Sequence, residues 1–119
     1  TRKLVSFSQI PGGQNYNSAF IRRAVQPIEK AFGTVPERLL KAAAMFDGER
    51  MTLGDCSVKI YALPLVPLVV ILYAASSEFP ASANMLFDSS VSSYLSTEQV
   101  AMLGELTSAR LGLANEAIT

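Results

Sequence analysis

Histidine is missing from the sequence altogether, and Cys56 is its single cysteine. Without histidine, the chain cannot form the common zinc sites, a Ser-His or Cys-His dyad, or a haem with a histidine ligand. A single cysteine excludes an internal disulfide bond and a four-thiolate cluster held by this chain alone. The sequence therefore predicts no bound metal and no cofactor carried by this chain by itself.

An excess of charge of one sign is missing as well, because 10 basic residues are balanced by 10 acidic ones. Proteins that bind nucleic acid mainly through its phosphates carry a basic surface, so nucleic acid is not expected as a partner. The chain also shows no basic leader followed by a small-residue cleavage site. This pattern favours a cytoplasmic location.

One uncharged hydrophobic run comes close to the length that a membrane-spanning helix requires. Residues 60–77 carry no charge and approach the length of a transmembrane helix. Pro64 and Pro67 lie inside the run, and each would remove a helical hydrogen bond. Because the run is also rich in valine, isoleucine and tyrosine, it predicts two buried strands around a proline turn, and a membrane is not expected as a partner.

Apolar residues that recur every three or four positions predict three amphipathic helices. The first is predicted from Ser18, with a bend at Pro27 and an end at Gly33. The second is predicted to begin at a capping box over residues 34–37 and to end at Gly48.

The third helix is predicted to begin at another capping box, in which Ser96 and Gln99 each bond to the other's backbone amide. The tail after Gly112 is expected to fray. The buried face of this helix is predicted to carry Val100, Leu103, Leu106, Ala109 and Leu111.

Strands are predicted at the short apolar or alternating runs 4–7, 57–63, 68–75 and 83–88. The run 68–75 is apolar on both faces and is expected to lie centrally in the sheet. The order of elements predicts an α+β fold, in which a small antiparallel sheet packs against three helices. The sheet is expected to contain a central meander of about three strands plus an N-terminal strand. Residues 1–119 form one domain in this prediction.

Two glycines stand ahead of the first predicted helix in the stretch IPGGQNYN, residues 10–17. Adjacent glycines at a helix N-terminus are able to cradle an anion. The lysine of a phosphate-binding loop and the spaced glycines of a dinucleotide-binding turn are both missing, however. The main interpretation of Gly12 and Gly13 is therefore a turn with positive φ, with ligand contact as the alternative. Tyr16 is interpreted as the hydrophobic staple of the helix, again with ligand contact as the alternative.

Charged residues supply the other candidates for ligand binding. Arg22 and Arg23 could reach an anionic ligand or partner, although a solvated surface is the simpler interpretation. Glu78, Asp88 and Glu98 could hold a hard cation or shift each other's pKa values if folding brings their carboxylates together. Asp88 also fits a structural role, in which its side chain accepts nearby backbone amides of the loop that follows.

Cys56 follows Asp55, and no lysine or histidine stands beside it in the sequence. Such a neighbour would lower the pKa of the thiol and make it reactive. Cys56 is therefore predicted to be a buried, inert thiol, with nucleophilic reactivity as the alternative.

Several short motifs also follow one another in a fixed order. They are IPGG with Tyr16 and Phe20, Leu53-Gly54-Asp55, Leu63-Pro64 with Val66-Pro67, Glu78-Phe79-Pro80, NMLFD at 84–88, and Tyr94-Leu95-Ser96-Thr97-Glu98. This set spans the chain from about Phe7 to Leu111 and resembles an uncharacterised domain-of-unknown-function family (number 3786) of anaerobic bacteria and archaea. Some members of that family carry an iron-sulfur cluster description.

The resemblance implies an accessory role rather than a particular reaction. Some relatives have a cysteine-rich segment ahead of this domain, similar to the small cluster-binding domain of corrinoid iron-sulfur proteins, and this sequence contains no such segment. An association with corrinoid or iron-sulfur cofactors of one-carbon metabolism is therefore implied only by the resemblance.

Relatives also extend further towards the N-terminus, whereas this sequence begins at Thr1. The resemblance thus implies that the chain is the C-terminal portion of a longer family domain. Missing elements would leave apolar surface and a sheet edge exposed. A homo-oligomer, a missing N-terminal segment or a protein partner is expected to cover them.

Two functions remain open at this point. A non-catalytic module that binds a ligand or a protein partner is favoured, because the charge is balanced and no nucleophile-base pair is recognisable. The alternative is a histidine-independent enzyme that uses carboxylates near Glu78, Asp88 and Glu98. One of these carboxylates meeting Arg22 or Tyr16 in a pocket would favour the enzyme, and dispersed, solvated carboxylates would favour the module.

Overall fold

Five strands and three helices make up the fold in a computed structural model, which describes residues 3–64 and 66–118. Thr1, at which the sequence suggested a truncated start, lies outside the described residues. The strands are β1 (Leu4–Ser6), β2 (Glu49–Met51), β3 (Cys56–Leu63), β4 (Val66–Tyr73) and β5 (Ser82–Asp88). They form one antiparallel sheet in the order β1-β5-β4-β3-β2. The predicted α+β class is confirmed, and the predicted meander occupies the centre of the sheet.

The apolar run 60–77 folds back on itself, as predicted. Ile60 of β3 pairs with Leu68 of β4, and Pro64 lies in the turn between the two strands. Position 65 of this turn is outside the described residues. No helix within the described part of the chain is both long and apolar enough to cross a membrane.

One face of the central strand β4 packs against the helices. Leu68, Val70 and Leu72 are all 0% exposed and belong to the core cluster that the helices share. β4 is the central strand of the sheet, as its apolar run predicted.

The sheet curls around its opposite face. Val69 and Ile71 alternate with the core residues of β4 and so lie on this face, yet they are only 1% and 6% exposed. Lys3 and Leu4 at one edge and Met51 at the other edge line one cavity of about 210 Å³. Because β1 and β2 are the two edges of the sheet, the curled sheet shields this face with its own side chains.

The first helix, α1, begins at Gly13, earlier than the predicted Ser18. It consists of α-helical segments Gly13–Phe20 and Gln26–Phe32 joined by a π-helical turn at Ile21–Val25. In this wider turn the Gln26 N–H donates to the Ile21 carbonyl. Pro27 has no N–H to donate to the Arg23 carbonyl, so the predicted disturbance takes the form of a widened turn just before the proline.

The second helix, α2, spans Glu37–Ala44 and does not begin with the predicted capping box. Its N-cap is Pro36, and no side chain caps it. The Val35 N–H donates to the Phe32 carbonyl at 3.1 Å, so a turn leads directly out of α1 and leaves Thr34 too early to cap. At the other end Asp47, with φ 57°, takes the left-handed conformation, and the Gly48 N–H closes the helix on the Ala43 carbonyl at 2.9 Å.

The third helix, α3, spans Thr97–Ala117 and begins with the predicted capping box. The Gln99 N–H donates to the Ser96 hydroxyl at 3.2 Å, and the Ser96 N–H donates to the Gln99 side chain at 2.9 Å. The expected fraying after Gly112 is wrong. Arg38 of α2 donates to the Asn115 side chain at 2.6 Å and to the Asn115 carbonyl at 2.7 Å. These bonds attach the last turns of α3 to α2.

The predicted buried face of α3 is wrong in part. Val100 and Leu111 are 0% exposed, but Leu106 is 47% exposed and Ala109 also faces outward. Apolar residues lie on both the inward and the outward side of the helix, so the spacing of its apolar residues does not fix which side faces inward. The inward side is completed by Gly104, Thr107, Ser108 and Ala114.

Candidate ligand groove

Several candidate residues meet in a groove between α1 and α3. Tyr16 and Arg23 of α1 line one side, and Glu98 and Glu105 of α3 line the other. The groove has a volume of about 240 Å³. It therefore combines one guanidinium, one phenol and two carboxylates on a concave surface.

Helical spacing explains why these residues share the groove. Tyr16 and Arg23 are seven positions apart, as are Glu98 and Glu105, and residues at that spacing lie on one face of a helix. The floor is apolar and consists of Ala19, Phe20 and Ala101.

Close packing beneath the groove fixes the separation of the two helices. A Cβ atom on Gly104 would lie 2.6 Å from the Phe20 ring, so α3 approaches α1 as closely as it does because residue 104 has no side chain. The Phe20 ring in turn stacks on Phe7, with centroids 4.3 Å apart and planes inclined by 12°. The floor is thus held in place by the core.

The glycine stretch forms the turn that the sequence predicted. Gly12 has φ 80°, a conformation that favours glycine, and Gly13 is buried as the first residue of α1. The Thr97 hydroxyl donates to the Pro11 carbonyl at 2.5 Å, which joins this turn to the start of α3. This bond ties the turn to the end of the groove that Thr97 lines.

Tyr16 stays a candidate for the hydrophobic staple of α1. The N-cap is Gly12, so Tyr16 is the fourth residue of the helix, which is one of the two positions that a staple joins. Its side chain is 50% exposed and lines the groove.

The two neighbouring arginines have different surroundings. Both lie in the π-helical turn of α1 and are exposed. Arg23 lines the groove, whereas Arg22 does not. The pair therefore offers a matched comparison of a groove residue with a surface residue on one helix.

Folding does not bring Glu78, Asp88 and Glu98 together. Glu78 lies in the exposed loop after β4, where its N–H donates to the Ser76 hydroxyl at 3.3 Å. Asp88 ends β5, while Glu98 lies in the first turn of α3. Among residues 3–64 and 66–118, no group of three or more histidine, cysteine, aspartate or glutamate side chains could hold a metal ion.

Asp88 has the structural role that its loop suggested. It is 5% exposed, and its carboxylate accepts the Ser90 N–H at 3.1 Å together with the Ser90 hydroxyl. It thereby caps the short 3₁₀ helix Ser89–Ser93. Asp88 also lines the cavity on the curled face of the sheet, close to Lys3 and Lys59.

Cys56 is buried at the start of β3, as predicted. Burial raises the pKa of its thiol above the ordinary range, while the nearby Arg50 lowers this pKa and Glu37 raises it further. A thiol of raised pKa is protonated at neutral pH and is a poor nucleophile.

Sequence reasoning missed Glu105 and Thr97. The signal for Glu105 was its spacing from Glu98, which places both carboxylates on one side of α3. The hydrogen bond from Thr97 to Pro11 joins positions 86 residues apart, and no local sequence pattern predicts it.

In a comparison with protein families, residues 1–110 match the family described as "Domain of unknown function (DUF3786)". All motifs that carry the resemblance lie within these residues. Neither the curated proteins nor the solved structures provide a significant match.

Proposed function

Because the chain belongs to the DUF3786 family, whose description assigns no function, we propose a function from the geometry of the groove. The protein is a non-catalytic module that binds a small polar ligand between α1 and α3. The observation that carries this proposal is the convergence of Tyr16, Arg23, Glu98 and Glu105 above an apolar floor.

The arrangement suits a small molecule that carries both positive and negative groups. The guanidinium of Arg23 is able to form paired hydrogen bonds with a carboxylate or phosphate. Glu98 and Glu105 across the groove are acceptors for an ammonium group or hydroxyls. The exposed ring of Tyr16 adds a flat apolar surface with a polar end. Few polar groups around an apolar floor are typical of ligand sites.

The family resemblance supports the setting of this activity. It favours an accessory role beside the corrinoid or iron-sulfur enzymes of one-carbon metabolism in the cytoplasm of anaerobes. In that setting the cofactor belongs to another protein or another segment, and this module contributes ligand or partner binding.

An enzyme is the second candidate, and one observation favours it: Glu98 and Tyr16 share the groove. A carboxylate and a phenol are able to act as a general acid-base pair. Tyr16 is 50% exposed and Glu98 is also exposed, so neither has the burial that usually tunes a catalytic group. Conversion of a bound ligand into a product, lost in Glu98→Gln with binding retained, would establish the enzyme instead of the module.

A thermal-shift screen followed by titration calorimetry tests the proposal. The screen contains amino acids, nucleotides, inorganic phosphate and corrinoids. We expect a compound that stabilises the protein and loses at least about tenfold in affinity, roughly 1.4 kcal/mol, in Arg23→Ala. Arg22→Ala is the matched control and should bind as the wild type does.

Two outcomes would contradict the groove as a ligand site. One is that no compound in the screen stabilises the wild type, which would leave only protein partners. The other is an equal loss of affinity in Arg22→Ala and Arg23→Ala, since only Arg23 lines the groove.

A further inference from the structure

The outward side of α3 carries an apolar stripe. Met102 is 59% exposed, Leu106 47% and Leu113 65%, and Ala109 lies exposed between the last two. Positions 102, 106, 109 and 113 follow one another at intervals of four, three and four residues. This is the alternation of the d and a positions of a coiled-coil heptad.

The stripe is uncovered, although the helix already packs its opposite side into the core. Val100 and Leu111 on the inward side are 0% exposed. Soluble monomers seldom expose a continuous row of large apolar side chains, and such rows mark interaction sites.

The curled face of the sheet is a weaker candidate for an interface. Val69 and Ile71 at its centre are already shielded within the chain. Lys59 on the same face lies over the Tyr61 ring, with its ammonium 5.3 Å from the ring centroid. The stripe on α3 has no comparable cover.

Charge identifies the occupant of the stripe. With Leu106 and Leu113 at a positions and Met102 and Ala109 at d positions, Glu105 is a g residue and Arg110 an e residue. In two parallel helices, a g residue of one helix faces the e residue five positions further along the other. Glu105 and Arg110 are five positions apart, so a second copy of this helix supplies the complementary charge.

We propose that the protein forms a two-fold dimer in which α3 packs in parallel against α3 of a second copy. The Leu106 and Leu113 side chains meet their counterparts, and each Glu105 pairs with Arg110 of the other copy. An antiparallel pair would face g positions with g positions. These positions in α3 are Glu98, Glu105 and Gly112 and carry no cation, so the charges favour the parallel arrangement.

The proposed dimer and the ligand groove share one residue, Glu105. Glu105 lies at the boundary between the groove and the stripe, while Tyr16 and Arg23 lie on α1, away from the stripe. Leu106→Glu tests dimerisation without changing a groove residue, and Arg23→Ala tests ligand binding without changing the stripe.

Sedimentation velocity over a range of protein concentrations tests the dimer. The wild type should sediment as a dimer that dissociates on dilution, and Leu106→Glu should be monomeric at every concentration with an unchanged circular dichroism spectrum. Phe79, which is 69% exposed in the loop before β5, provides the matched control, so Phe79→Glu should dimerise as the wild type does. A monomeric wild type at high concentration, or a Leu106→Glu variant that still dimerises, would overturn the proposal.

A charge exchange tests the parallel arrangement, and it does not depend on a change in the apolar residues. Glu105→Arg and Arg110→Glu should each raise the dissociation constant at least about tenfold, because each places like charges opposite one another. The double variant should return to the wild-type value. Failure of the double variant to recover would overturn the parallel pairing.

A cysteine at a d position supplies a second readout of the same geometry. Ala109→Cys should form a disulfide between the two copies on mild oxidation, because equivalent d positions face each other in a parallel pair. Cys56 is buried and should not compete. Absence of this cross-link in a protein that sediments as a dimer would also overturn the parallel pairing.

Discussion

Both the inward and the outward side of α3 carry large apolar residues, but the inward side is buried in the core and the outward side is exposed to solvent. Leu111 on the inward side is fully buried, while Leu113, two residues further on, is 65% exposed. The small residues Gly104 and Ser108 also lie on the inward side. The comparison shows that close approach between helices, rather than hydrophobicity alone, determines which side of an apolar helix faces the core.

Truncation of one leucine on each side should give the largest contrast. Leu111→Ala leaves a cavity in the core and should lower the free energy of unfolding by about 2–5 kcal/mol. Leu113→Ala removes a mostly exposed side chain and should change it by less than about 0.5 kcal/mol. Urea unfolding at low protein concentration, where self-association does not contribute, measures both. Equal losses in the two variants would contradict the orientation of α3.

Replacing each glycine of α3 with alanine should change the free energy of unfolding by less than the leucine truncation does. The two changes should have opposite signs. A Cβ at position 104 would lie 2.6 Å from Phe20, whereas a Cβ at position 112 would meet no atom within 4 Å. Gly112→Ala should stabilise the protein by about 0.5–1 kcal/mol, because alanine favours the helix. Gly104→Ala gains the same propensity but overpacks the core, which costs about 1–3 kcal/mol, so a net loss is expected.

Urea unfolding measures the change in the free energy of unfolding for both glycine variants. A stabilising Gly104→Ala would mean that the Phe20 ring moves freely, although it is stacked on Phe7 in the structure. In that case the separation of α1 and α3, and with it the width of the ligand groove, would not depend on Gly104.

The sheet was predictable because its signals are local. Alternation along β3, the continuous apolar run of β4 and the prolines of the run 60–77 were enough to place the meander. The start of α1 was missed because IPGGQNYN contains few apolar residues, and helical periodicity is visible only where an apolar face exists.

The candidate site was only partly predictable. Tyr16, Arg23 and Glu98 were among the candidates, and the structure brings them into one groove. Glu78 and Asp88 were candidates on equal terms, but they lie in other parts of the fold. Their positions depend on pairings such as Leu4 with Asp88, which joins β1 to β5 across the length of the chain, and no short-range pattern specifies such a pairing.

The smallest expected contrast concerns two helix starts with similar sequences. Ser96 caps α3 through its hydroxyl, whereas Thr34 precedes Pro36, which takes the cap position of α2 without a side-chain bond. Ser96→Ala should therefore lower the free energy of unfolding by about 1 kcal/mol, and Thr34→Ala should change it by less than about 0.5 kcal/mol. Urea unfolding of both variants provides the measurement. A comparable loss in Thr34→Ala would show that the threonine does cap α2 in solution, because no other role in the described structure depends on its hydroxyl.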